Sequence, residues 1–218
     1  MEHAFWLERW QKSDIGFHQP AAHDLLERHW PALGVPKGAE VLVPLCGKSN
    51  DMVWLAEHGH TVIGTELAQT AIDQFFTERT RTPAAVTDAG FNVHRAGPYE
   101  LWCGDHFALQ PATTRRIAGV FDRAALVAMP YINQQPYSDQ LAALTPSGVP
   151  VLLITLDYDP SEMDGPPFPI SPGRIEDLFA RDFRITLLEK RDGLNASQNL
   201  KKRGLTALQE MAWKLVRR

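Results

Sequence analysis

Two positions about 20 residues apart carry the spacing of a nucleotide site. Gly47 follows the short apolar run "EVLVP" and precedes a helical stretch, and Glu66 closes the next apolar run, "HTVIGTEL". In open α/β sheets ligands bind outside the carboxyl ends of the strands, so the turn after "EVLVP" is where a cofactor would sit. The tripeptide Gly47-Lys48-Ser49 suggests a phosphate loop, but the glycine that motif needs five residues earlier is Leu42. The dinucleotide fingerprint fails too, because Ser49 and Asn50 follow Gly47 where further glycines are required. A pyrophosphate therefore has no good seat. Glu66 remains, placed to accept hydrogen bonds from ribose hydroxyls. An adenosine cofactor without pyrophosphate meets both conditions, and S-adenosylmethionine is such a cofactor. The bland alternative for a lone acidic residue ending a strand is a helix cap or a surface charge. Asp105, near the end of "LWCGD", holds the corresponding place for the adenine amino group, and Asp122 and Arg123 end the next strand.

These positions need elements to hold them. "HAFWLERWQ" and "PAAHDLLERHW" have helical periodicity, which predicts two helices before the first strand. "AEVLVPL" and "HTVIGTEL" are continuous apolar runs of the kind buried in parallel sheets. "NDMVWLAEHG", closed by Gly59, and "AQTAIDQFFTER" are the helices between and after them. "FNVHRA" and "YELWCGD" read as a hairpin, "IAGVFDR" and "VPVLLITLDY" as buried strands, and "PYSDQLAALT" as a helix. "DPSEMDGPPFPISPG" is a long loop, and loops of that length in compact domains usually serve function. "RIEDLFA" reads as a helix, and "FRITLLEK" and "LQEMAWKLV" as closing strands. The expectation is one domain, residues 1–218. It has a mostly parallel α/β sheet, antiparallel strands at the carboxyl end, and an N-terminal helical extension, residues 1–33, covering the cofactor site.

The 218 residues carry a net charge of −4, without the concentrated basic face that nucleic-acid binding needs. Lys201, Lys202 and Arg203 form the one compact basic run, too short to alter this. No stretch has the length of a membrane span, and Met1, Glu2 and His3 do not begin a secretory leader. A cytoplasmic monomer acting on a small molecule is expected. Cys46 and Cys103, far apart in sequence, read as reduced thiols, and His58 and His60 lack a third partner for a metal site.

"WLERWQKSDIGFHQ", "VLVPLCGKSNDMVWLAEHGHTVIGTEL", "FDRAALVAMP" and "DGPPFPIS" together resemble the thiopurine S-methyltransferase family in its bacterial form, from Trp6 to the carboxyl end. The resemblance implies a class I, Rossmann-like methyltransferase fold. It implies S-adenosylmethionine as donor, S-adenosylhomocysteine as product, and aromatic or heterocyclic thiols such as thiopurines as acceptors. Bacterial relatives are also associated with selenium and tellurium compounds. Carried over by residue, it makes Trp10, Leu45, Glu66 and Arg123 cofactor contacts. Trp6 and Phe17 line the same pocket, and Asp105 and His106 flank the adenine. Animal members have glycine after the aspartate and arginine where this chain has Ala124, and a second substrate-facing arginine near Asn199.

Trp6 and Trp10 share one helical face, a spacing equally suited to a core. A sulfonium cation, however, is matched by aromatic faces. Phe17, Pro166, Pro167 and Phe168 offer rigid apolar walls to a flat acceptor, or simply pack their loop. Methyl transfer from an activated donor to sulfur needs orientation and exclusion of water more than a base. Arg123 is the candidate for stabilising an acceptor thiolate, its alternative being an ion pair with a nearby carboxylate. Cys46, with no adjacent base, reads as packing. A nicotinamide oxidoreductase would share the sheet but should have the missing glycines.

Overall fold

The computed structural model describes residues 3–218. The chain divides into two compact units, one ending at Phe121 and the other running from Asp122 to Arg218.

In the first unit, helices α1 (His3–Gln11) and α2 (Asp24–His29) precede the first strand, followed by β1 (Glu40–Val43), α3 (Asn50–Glu57), β2 (Thr61–Glu66) and α4 (Gln69–Glu78). Then come β3 (Ala84–Asp88), β4 (Phe91–Ala96), β5 (Tyr99–Cys103), the short α5 (Pro111–Thr114) and β6 (Ile117–Arg123), whose last two residues belong to the second unit. β1 pairs in parallel with β2, from Glu40 opposite Thr61 to Val43 opposite Gly64, and on its other side with β6. β2 pairs in parallel with β5, ending with Glu66 opposite Cys103. β3 and β4 extend the edge as antiparallel strands, giving the order β3-β4-β5-β2-β1-β6. The chain builds outward from β1 to β5 and then returns to β1's other side with β6. The strand order thus reverses beside β1, the place where such sheets bind ligands.

The buried strands follow from their side chains: Val41, Leu42, Val62, Leu101 and Val120 have no exposure to solvent. α3 starts where Ser49 accepts from the Asp51 backbone N–H at 3.1 Å, a cap that ends the loop after β1. β3 was absent from the strands expected; its residues are all exposed, so it carries no burial pattern to read.

The second unit contains α6 (Tyr131–Leu144), β7 (Pro150–Asp157), α7 (Pro172–Phe179), β8 (Phe183–Asp192), α8 (Gln198–Lys202) and β9 (Gln209–Arg217). β9 lies antiparallel between β7 and β8. Leu152, Leu153, Met211 and Leu215 are fully buried, and Trp213 donates to the Thr155 hydroxyl at 2.9 Å. Lys201 and Lys202 end α8 on the surface, with Arg203 as its cap.

Candidate functional site

Glu66, at the carboxyl end of β2, is only 7% exposed. Its two oxygens accept from different loops: one takes the Gly47 N–H at 2.8 Å, the other the Ala68 N–H at 2.7 Å. The carboxylate thus ties the loop after β1 to the start of α4. Burial raises its pKa, and the backbone donors pull it partly back. Each oxygen retains lone-pair capacity beyond the amide it already accepts.

The β1 loop approaches β2 closely. The Cys46 N–H donates to the Thr65 carbonyl at 2.8 Å, and the Leu45 N–H to the Thr65 hydroxyl at 3.2 Å. Gly64 permits this: a Cβ there would stand 2.7 Å from both the Cys46 sulfur and a Leu101 methyl. Leu45 itself has φ 47°, in the left-handed region that side chains avoid. The Thr65 hydroxyl also meets His106 Nδ1 at 2.9 Å, and His106 is buried. Burial pushes that imidazole down to about 4, so it is neutral at physiological pH. Asp105, beside it, caps the following turn by accepting from the Phe107 N–H at 3.0 Å, and its other oxygen lies 3.5 Å from His3 Nε2.

Three of the aromatic residues expected at the site do meet. Phe17 makes edge contacts with both Trp6 and Trp10, at 5.8 Å between centroids in each case. Trp10 is 3% exposed, packed on Ala71 of α4 and on Ala68 just before it, and a Cβ on Gly47 would come within 3.1 Å of its ring. Trp10 is therefore already buried against the Glu66 loop before any ligand is considered, while Trp6 is only partly covered.

Arg123 and the "GPPF" residues belong to the second unit. Asp122 shapes the turn that follows it: one oxygen accepts from the Leu126 N–H at 3.2 Å, the other from the Tyr137 hydroxyl at 2.7 Å. Asp122 is thereby engaged with the turn and with Tyr137, and burial raises it to about 6. Ala124 has φ 67°, a conformation natural to glycine. The long loop is held residue by residue. Pro166 offers its carbonyl to Arg203 at 2.7 Å, Pro167 to the Tyr158 hydroxyl at 2.6 Å, and Phe168 donates its N–H to Val127 at 2.6 Å. The Phe168 ring lies over Gly165, where a Cβ would be 2.6 Å away.

The thiols are quiet. Cys46 is buried, and burial with the nearby Glu66 charge pushes it well up; Cys103 is raised to about 11 by the same causes. His58 stacks on Trp54 and His60 accepts from the Trp30 indole at 3.0 Å; among the described residues no cluster suits a metal ion. Thr65, Gly64 and Ala68 were not singled out by sequence reasoning. The available signal was a threonine inside an apolar run, next to its terminal acid.

The family model described as thiopurine S-methyltransferase matches residues 1–218. The chain belongs to the thiopurine S-methyltransferase family. It is 43% identical over 218 residues to a thiopurine S-methyltransferase of Azotobacter vinelandii, covering 100% of both chains. It is 45% identical to one of Methylococcus capsulatus, over 98% of this chain and 96% of the other. Among solved structures it is similar to the Burkholderia thailandensis 1,6-didemethyltoxoflavin-N1-methyltransferase, solved with S-adenosylhomocysteine. The TM-score is 0.64 at 15% identity, covering 98% of this chain and 87% of that one. The fold is accordingly that of a class I, Rossmann-like methyltransferase. As a member of this family the protein is a methyltransferase that uses S-adenosylmethionine as its cofactor.

Proposed function

We propose that the protein transfers the methyl group of S-adenosylmethionine to the sulfur of thiopurines and related aromatic or heterocyclic thiols. The observation that carries this is the family match over the whole chain. When bound, the cofactor supplies a methyl group already activated on a sulfonium centre, so the protein needs no strong base. Glu66 accepts the ribose hydroxyls, a role supported by its burial and by the lone pairs its two amide contacts leave over. Leu45, Asp105, His106 and Trp10 border the donor, and Trp6, the more exposed of the two tryptophans, turns aromatic surface to the cation, an attraction of up to about 2 kcal/mol when desolvated. The N-terminal extension, residues 1–33, is read as the cover of the donor site in a single functional domain; Met1 and Glu2 lie outside the described residues. Pro166, Pro167 and Phe168 wall the acceptor, and the three hydrogen bonds that hold residues 166–168 support a rigid wall. Arg123 borders the cofactor and favours the acceptor in its thiolate form by its positive charge. We place the protein in the cytoplasm as a monomer, consistent with two free thiols; fractionation and sedimentation check this.

The test is a transfer assay with labelled donor against thiopurine, simple aryl thiol, selenol and tellurite acceptors. Methylation fastest on heterocyclic thiols is expected. Transfer to tellurite or selenols with none to thiols overturns the acceptor assignment.

A further inference from the structure

The Thr65 hydroxyl lies where the loop after β1, the end of β2 and the turn after β5 meet. It has no exposure to solvent, and its partners among the described residues are the Leu45 N–H at 3.2 Å and His106 Nδ1 at 2.9 Å. Leu45 can only donate. A hydroxyl carries one proton and must give it to an acceptor when buried. If His106 held its proton on Nδ1, that nitrogen would also donate to Thr65, and the hydroxyl proton would face two donors and no acceptor. The arrangement closes only when Thr65 donates to Nδ1, which puts the imidazole proton on Nε2. The same oxygen, by accepting from Leu45, also supports the left-handed backbone at φ 47° beside the Glu66-bound Gly47.

We propose that Thr65 is a positioning residue for the donor site. Its hydroxyl holds the Leu45 backbone and, by fixing the buried His106 ring as the Nε2–H tautomer, fastens the turn after β5 to the end of β2 where the donor would sit. This rests on the donor-site reading above. It adds a residue that touches no reacting atom and acts through two neighbours. The neutral state required of the ring agrees with its burial, which keeps it unprotonated down to about pH 4.

Nitrogen-15 NMR of the full-length, histidine-labelled protein without ligand tests the tautomer directly. His106 should show a protonated Nε2 and a bare, hydrogen-bonded Nδ1 near neutral pH. Thr65→Val keeps the shape and removes the hydroxyl. It should mix the tautomers and weaken S-adenosylhomocysteine binding by calorimetry about tenfold, about 1.4 kcal/mol. The loss should appear in the donor KM more than in kcat. Thr65→Ser should restore both signatures. A proton on Nδ1 in the unaltered protein overturns the proposal, and this arm stands even where the valine variant does not fold. Unchanged tautomer and affinity in a folded Thr65→Val protein overturn it as well. Failure of the unaltered protein to bind S-adenosylhomocysteine, with the Nε2–H tautomer present, removes the donor-site reading and leaves the Thr65–His106 pairing intact.

Discussion

Glu66 ties the β1 loop to the start of α4, and the donor-holding role proposed for it can be separated from that tie by measurement. Glu66→Ala should weaken donor binding at least tenfold, about 1.4 kcal/mol, by calorimetry. Glu66→Gln is not innocuous, since one amide N–H2 must then face the Gly47 or Ala68 N–H, each now a donor to the carboxylate. It should cost about 1.5–3 kcal/mol of stability in urea unfolding, the range for a hydrogen bond to a charged group. Because burial raises the Glu66 pKa, acidification through that raised value protonates the acceptor; donor affinity should fall there, and this pH dependence should vanish in Glu66→Gln. Asp122 links pH to folding instead. Its folded pKa of about 6 exceeds the ordinary 3.8, so its contribution to stability is full below the lower value and lost as pH rises through the higher. The loss amounts to about 3 kcal/mol. The Tyr137 hydroxyl opposes this by stabilising the ionised form. Tyr137→Phe should therefore destabilise more at pH 7 than at pH 4, a difference readable from urea melts at the two values. The place of Glu66 was legible from spacing. Its bonds to Gly47 and Ala68 were not, because they depend on how deeply the β1 loop settles over β2.

At the scale of elements, β2 must be thin where the loop crosses it. Gly64→Ala sets a methyl group against Cys46 and Leu101 at 2.7 Å and should destabilise by about 1–3 kcal/mol, measured by denaturant unfolding. The long proline-rich loop is fastened to Arg203 rather than free. Arg203→Ala should raise the acceptor KM several-fold and leave donor affinity unchanged; equal effects on both would remove the loop from the acceptor wall. Buried strands announced themselves in sequence because β1, β2 and β7 are apolar on both faces. β3 and α8 did not, since neither has a buried residue and their stability comes from neighbours. The reach of the helical signal in α1 was similar: it showed which residues share a face, and only the contact with α4 shows that Trp10 is already covered.

For the molecule as a whole, a ligand held only by the folded chain shifts the unfolding equilibrium by mass action. S-adenosylhomocysteine at one hundred times its Kd should add about 2.7 kcal/mol to the stability of the native protein. Urea melts with and without it check this, and the increment should shrink in Glu66→Ala. The α/β class and the turn after β1 as the ligand end of the sheet were readable in advance, because alternating apolar runs and helical segments leave few topologies open. The partition at Phe121 was not, since no linker composition marks it.

A catalyst that methylates sulfur carries two sulfhydryls of its own beside the carboxylate proposed to hold the donor. With Cys103 raised to about 11 and Cys46 pushed well up by burial, both remain un-ionised at working pH. Since the thiolate is the nucleophile, the reactive fraction of Cys103 near pH 7.5 is on the order of one in several thousand. The enzyme is thereby a poor substrate for its own chemistry. Intact-mass spectrometry after long incubation with the donor should show no added methyl, and a thiol-alkylating reagent should label Cys46 only once the chain unfolds.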